Sequence, residues 1–184
     1  MQSKFVNHQG ASLHYQIGGK ESASVMVLLH GGFGSIADFE PLLPRLLQHY
    51  RVIAVDTRGH GRSTLGTAAL TYAQAADDVR QILRSESVEN YSLFGFSDGG
   101  ITAYRLGAED ENVEKIITVG AEWHQKHLNR VKSMFEALNL NIVEEKLSEQ
   151  LAAYQAANPE PDAEKWIAAL KAMWLDESAS GYPN

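Results

Sequence analysis

Gly95-Phe96-Ser97-Asp98-Gly99 has the form G-x-S-x-G, a spacing that can make a serine reactive. Tyr91-Ser92-Leu93-Phe94 before it is short, aromatic and apolar, which predicts a buried strand; residues 101–106 after it have helical spacing with no Pro or Gly. A sharp strand-to-helix turn between them strains the central residue and lifts its hydroxyl clear of the sheet. Glycines two residues either side are needed because a Cβ there would clash where the chain folds back. The free N–H groups of the following helix can stabilise developing negative charge. Ser97 is the candidate nucleophile, weighed against a serine that merely caps a helix. Alone, the motif arises by accident in roughly one chain of this length in twenty, so its surroundings must decide.

The surroundings begin with bulk properties. A chain of 184 residues with 44% hydrophobic and 21% charged residues suits one ordinary globular domain. The net charge of -7 disfavours nucleic acid and anionic membrane as partners. There is no cysteine, hence no disulfide and no thiolate metal ligand. Residues 1–8 lack the apolar run of a signal peptide, and no stretch approaches membrane-spanning length, so cytoplasmic is the default reading. Gly31-Gly32-Phe33-Gly34 lacks the Gly-Lys-Ser/Thr ending of a phosphate loop. No metal constellation or cofactor motif is expected.

Along the chain, residues 5–7 and 12–17 flank Gln9-Gly10-Ala11 as a hairpin at a sheet edge. Val25-Met26-Val27-Leu28-Leu29 is apolar throughout, as a strand covered on both faces is, and ends in His30-Gly31-Gly32-Phe33-Gly34. Phe39, Leu42, Leu43, Leu46 and Leu47 predict one helix with a buried face, Pro41 in its first turn and Pro44 kinking it. Residues 51–55 form the next buried strand, leading into Asp56-Thr57-Arg58-Gly59-His60-Gly61-Arg62-Ser63. Thr71 and Gln74 make a capping box opening a helix that buries Tyr72, Ala75, Ala76, Val79, Ile82 and Leu83. Lys115-Ile116-Ile117-Thr118-Val119 is one more buried strand. Strands alternating with helices predict an α/β fold, a mostly parallel sheet with helices on both faces. From Glu122 to Trp174 about three helical segments follow, the last starting near Asp162 with Trp166, Ile167, Leu170 and Trp174 on one face. The expected division is a core over 1–120 and a helical cap over 121–184, laid on the sheet's carboxyl edge where ligands bind.

Three segments, LLHGGFG, VDTRGHGRS and GFSDGG, each follow a predicted strand, and in this order they resemble the α/β-hydrolase superfamily. The wording GFSDGGITA is similar to the valacyclovir-hydrolase (biphenyl-hydrolase-like) branch. The resemblance implies Ser97 as nucleophile, the backbone N–H of Asp98 as one oxyanion donor, and Gly32 as the second, with Phe33 the runner-up. It implies a triad running Ser, then Asp or Glu, then His along the chain. Only His124 and His127 follow Ser97, both directly behind the strand at 115–119. The expectation is therefore a front two-thirds of a hydrolase, its acid and His beyond Asn184 and its last strands missing.

The remaining candidates have plainer readings beside chemical ones. His30 is expected to fix its loop, and Asp56, Arg58 and His60 to hold a turn by hydrogen bonds. Glu122 and His124 could form a makeshift acid–His pair, though closeness in sequence limits their orientation. Trp123, Trp166 and Trp174 are expected in the cap's core. Asp98 has two readings: complementing the helix dipole, or facing the pocket to hold a substrate ammonium, with Phe33 also against substrate. The expected activity is hydrolysis of a small ester or amide. The rivals are a catalytically incomplete small-molecule binding protein on the same fold and a C–C hydrolase or lyase. The partner is a small molecule, with self-association expected through an unpaired sheet edge.

Overall fold

The computed structural model describes residues 1–183. Six strands form one sheet: β1 (Gln2–His8), β2 (Ala11–Gly18), β3 (Val25–Leu29), β4 (Arg51–Val55), β5 (Tyr91–Phe96) and β6 (Val113–Val119), in the order β1-β2-β4-β3-β5-β6. β1 and β2 are an antiparallel hairpin closed by Gln9 and Gly10, both at positive φ (46° and 77°), which matches the right-handed twist of the strands. β2 pairs antiparallel with β4, and β4, β3, β5 and β6 are mutually parallel. The α/β expectation holds: the sheet is mixed but mostly parallel.

β3 and β4 show why their runs are apolar throughout. Val25, Val27, Leu29, Ile53 and Val55 point to one face, under the helices α2 (Tyr72–Ser85) and α3 (Asp98–Glu109). Met26, Leu28, Val52 and Ala54 point to the other, under Ile36 and Phe39. α2 buries the six residues its spacing predicts, and Asp78 besides. Its N-terminus is half a capping box: Thr71 Oγ1 accepts from Gln74 N–H at 3.0 Å, while the Gln74 amide donates to Asp78 instead.

Two expectations fail. The single helix over 39–47 is in fact a 3-10 turn (Ile36–Phe39) and a separate helix, α1 (Leu43–His49), which buries no residue fully. Leu42 is exposed. Pro44 causes no kink, because it sits in the first turn of α1, where a missing N–H costs nothing. The other failure is β6, expected to be buried: Ile116, Ile117 and Val119 are 37%, 47% and 48% exposed. Among the described residues β6 is the sheet's last strand and pairs only with β5.

After β6 come a 3-10 segment (Gln125–Arg130) and four helices, α4 (Lys132–Ala137), α5 (Leu140–Lys146), α6 (Ser148–Ala157) and α7 (Ala163–Trp174), more pieces than expected. α7 starts on Asp162, whose side chain caps Lys165 N–H, and buries Trp166, Ile167, Leu170 and Trp174 as its spacing predicts, with Met173. These residues share one apolar cluster with Leu70, Tyr72 and Ile101, so the helical segment packs on the elements around the candidate nucleophile. Trp123 does not join them and is 54% exposed.

Candidate active site

β5 runs straight into α3, and the corner residue is Ser97, at φ 49° and ψ -116°. A non-glycine residue at positive φ costs about 1–3 kcal/mol unless its neighbours impose it. Here they do. A Cβ on Gly95 would lie 2.4 Å from Gly99 O, and one on Gly99 would lie 2.0 Å from Leu29 O. The corner is closed by Ser97 N–H donating to Val119 O at 2.9 Å and by Gly100 and Ile101 N–H donating to Ser97 O. The Ser97 side chain makes no capping hydrogen bond, so the plain reading of a helix-capping serine does not apply.

The His30–Gly34 loop passes over this corner. A Cβ on Gly31 would come within 3.1 Å of Ser97 Cβ, and one on Gly32 would meet Trp174 and, at 2.7 Å, Asp98 Oδ2. Gly32, Phe33, Ser97 and Asp98 are thus gathered at one place, and Phe33 is itself at φ 61°. The loop is held by buried His30. Its Nδ1–H donates to Gly31 O at 2.7 Å, which leaves Nε2 to accept from Thr57 N–H at 3.0 Å. His30 is a loop-fixing side chain.

The neighbouring turn is held as expected. Asp56 accepts from Ile36 N–H, Arg62 N–H and His14; burial opposes its charge, yet these bonds hold its pKa below the usual carboxylate range. Arg58, fully buried, grips Asp78 with two bonds of 2.7 and 2.8 Å and reaches the carbonyls of His8, Gln9 and Leu65. Buried His60 donates from Nδ1 to Arg58 O, and its pKa is pushed down to about 3, first by burial and then by His30.

Asp98 is where the structure adds most. Tyr72 Oη donates to its Oδ1 and Trp174 Nε1 to its Oδ2, each at 2.7 Å. Burial pushes the Asp98 pKa above the ordinary carboxylate value; the bonds from Trp174 and Tyr72, and nearby His30, pull the other way. The residue beside the candidate nucleophile therefore joins α3 to α2 and to α7. Neither Tyr72 nor Trp174 was legible as a partner, because both read as apolar faces of their helices. Phe33 stands edge-on to Trp166 and Trp174, with centroids 5.1 and 5.5 Å away. The space beneath Asp98, bounded by His30, Thr57, His60 and Tyr72, measures about 10 Å³, no more than one water needs. A larger cleft of about 220 Å³ lies between residues 33–38 and α6; Ser97 is not on its walls, and it shares only Phe33 with this site.

The imidazole contacts found lie away from Ser97. His8 meets Asp77, and His14 meets Ser3 and Asp56. His30 and His60 serve the loops just described. The anticipated Glu122–His124 pair does not form: His124 Nδ1 caps Lys126 N–H, and Glu122 lies 2.7 Å from His127 Nδ1 instead. That contact lacks hydrogen-bond alignment, so it is a close approach and not a hydrogen bond. Among the described residues none of these bonds brings a histidine to Ser97 Oγ.

Over 101 residues the chain is 36% identical to 3-oxoadipate enol-lactonase 1 of Acinetobacter baylyi, covering 55% of this chain and 38% of that protein. It is 28% identical over 117 residues to Esterase YbfF of Escherichia coli, covering 63% of this chain and 46% of that one. The matched stretch thus spans less than half the length of these curated relatives. Among solved structures, the enol-lactonase from Burkholderia xenovorans superposes with a TM-score of 0.70 at 20% identity, covering 95% of this chain and 74% of that one. A hydrolase from Pseudomonas aeruginosa does so at 0.70 and 19%, covering 94% and 72%. At such identities the superpositions speak for the fold alone. Membership rests on the sequence itself: residues 24–177 match the family described as alpha/beta hydrolase fold, and the chain belongs to it.

Proposed function

We propose that this chain carries the nucleophile side of a serine hydrolase acting on small esters or amides. Ser97 attacks the acyl carbon, and the oxyanion rests on the N–H of Asp98 and of Gly32, with Phe33 the alternative donor. Residues 121–184 form the cap, and the activating acid and His come from outside the chain. The observation carrying the reading is Ser97 itself, strained to φ 49° at a strand–helix corner with its side chain uncommitted. The esterase and lactonase names of its relatives agree with it.

Asp98 and Phe33 remain the proposed contacts to substrate. An ionised carboxylate has about four acceptor positions, so an ammonium group can share Asp98 with Tyr72 and Trp174, and an α-amino acyl group is the preferred substrate in this reading. A binding protein without turnover is the second reading, favoured by the finding that none of the imidazole bonds described reaches Ser97. The test is hydrolysis of p-nitrophenyl esters by the chain and by Ser97→Ala. Without base and acid, the Ser97-dependent kcat should fall far below ~1 s⁻¹, the low end for ordinary enzymes. A faster Ser97-dependent rate refutes the outside base and turns attention to Glu122 and His127. No difference between the chain and Ser97→Ala, even when a fragment supplying the missing acid and His is added, refutes the nucleophile.

A further inference from the structure

A serine–histidine–aspartate arrangement crosses the far edge of the sheet. Ser3 lies on β1 opposite Gln16 of β2, so His14, two residues along β2, is its diagonal neighbour on the same face. Asp56 follows β4, and its N–H donates to His14 O at 3.1 Å, extending the β2–β4 ladder by one residue. Three adjacent strands thus set the residues in line: Ser3 Oγ to His14 Nε2 is 2.6 Å, and His14 Nδ1 to Asp56 Oδ2 is 2.6 Å. Four strand intervals separate β1 from β5, roughly 19 Å at the usual strand spacing, so this line is separate from Ser97.

The partners allow an arrangement in which Ser3 is the donor. Arg62 Nη1 lies 3.0 Å from Ser3 Oγ and can only donate, which leaves the Ser3 proton free to point at His14 Nε2. With the Ser3 proton on that bond, the ring carries its own proton on Nδ1 and donates it to Asp56, whose pKa is held low. His14 and Asp56 are buried while Ser3 is exposed, so base and orienting acid are shielded and the hydroxyl faces reagent. These are the roles of a base-activated serine. A role in packing alone would need only the buried His14–Asp56 pair. The Ser3 hydroxyl lies outside the core and is nevertheless aimed at the ring.

The geometry points to Ser3 as an activated nucleophile, a covalent modification site for small activated acyl or phosphoryl donors, independent of Ser97. In the step, Oγ bonds to the electrophilic carbon or phosphorus, the leaving group departs with its electron pair, and the Oγ proton passes to His14 Nε2 and on to solvent. Arg62 stands where negative charge develops, which favours donors bearing carboxylate or phosphoryl oxygens.

The experiment treats the Ser97→Ala chain with diisopropyl fluorophosphate, whose fluoride leaves, and maps adducts by peptide mass spectrometry. The expected result is diisopropylphosphorylation of Ser3 at least tenfold faster than of the exposed Ser22 and Ser87 in the same sample. Adding Ser3→Ala should abolish the fast adduct. Adding His14→Gln should slow it about a hundredfold, the lower range for general-base assistance, with a melting curve showing the chain still folded. Ser3 reacting no faster than Ser22 and Ser87 overturns the proposal whatever His14→Gln does. So does a fast Ser3 adduct that a folded His14→Gln chain forms equally well.

Discussion

Asp98 is the best place to test how the segment after β6 is held on the core. Tyr72 and Trp174 each donate to a different carboxylate oxygen at 2.7 Å. Asparagine has the same shape but only one acceptor oxygen, so Asp98→Asn turns one bond into two donors facing each other. A hydrogen bond to a charged group is worth about 1.5–3 kcal/mol. Relief of the desolvated charge, visible in the raised pKa of Asp98, returns part of that, so the single substitution should cost only about 1–2 kcal/mol. The single value therefore decides little. The pairwise term is cleaner: in double-mutant cycles of Asp98→Asn with Trp174→Phe and with Tyr72→Phe, the coupling should reach about 1.5 kcal/mol or more in at least one arm. Urea unfolding followed by circular dichroism measures all the chains without relying on the fluorescence of Trp174. Coupling below ~0.5 kcal/mol in both cycles, the usual scatter of additivity, would mean that neither bond forms in solution. The account of Asp98 as a joint between α2, α3 and α7 would then be wrong.

Gly99→Ala places a Cβ 2.0 Å from the backbone oxygen of Leu29, and since backbone cannot step aside cheaply, a loss of about 4 kcal/mol or more is expected; an unchanged melting temperature contradicts the elbow packing. His60 has its pKa lowered from 6.5 to about 3, so between those values the unfolded chain binds more protons and stability falls as pH falls. From pH 6.5 to 4.5 this contributes about 2–3 kcal/mol of loss, and His60→Asn should show a shallower acid slope; parallel slopes rule the assignment out. At the β6 edge, where Phe96, Ile117 and Val119 are about half exposed, the chain should bind ANS and self-associate. Ile117→Lys with Val119→Lys should weaken both, and a monomer without dye binding before any substitution would dispose of this expectation.

What could be read from the sequence follows from how far each signal reaches along the chain. The elbow was legible because its requirement is local: Gly95 and Gly99 sit within two residues of Ser97, and their missing Cβ atoms make room for Gly99 O and Leu29 O. The face of α2 was legible because a buried stripe repeats within the helix itself. The helix over 39–47 was misread because the same apolar spacing fits one helix or two short turns, and Pro44 can kink a helix or start one. β6 was misread for a related reason. An apolar run states how much surface a strand can bury, whereas burial depends on what packs beside it, and β6 pairs on one side only.

The side-chain partners were the least legible because they cross between elements. Asp98 invited two explanations from its position, dipole complement or substrate contact, and neither includes Tyr72, 26 residues before it, or Trp174, 76 residues after it. The contrast between the two serines makes the same point more sharply. Ser97 announces itself through the backbone strain its glycines permit, yet none of the imidazole bonds described reaches it. Ser3 has no motif at all, and its partners at positions 14 and 56 come within 2.6 Å contacts only because β1, β2 and β4 lie side by side. A motif records the local backbone that a reaction needs. The proton path is a property of strand order, and it becomes visible only when the sheet is assembled.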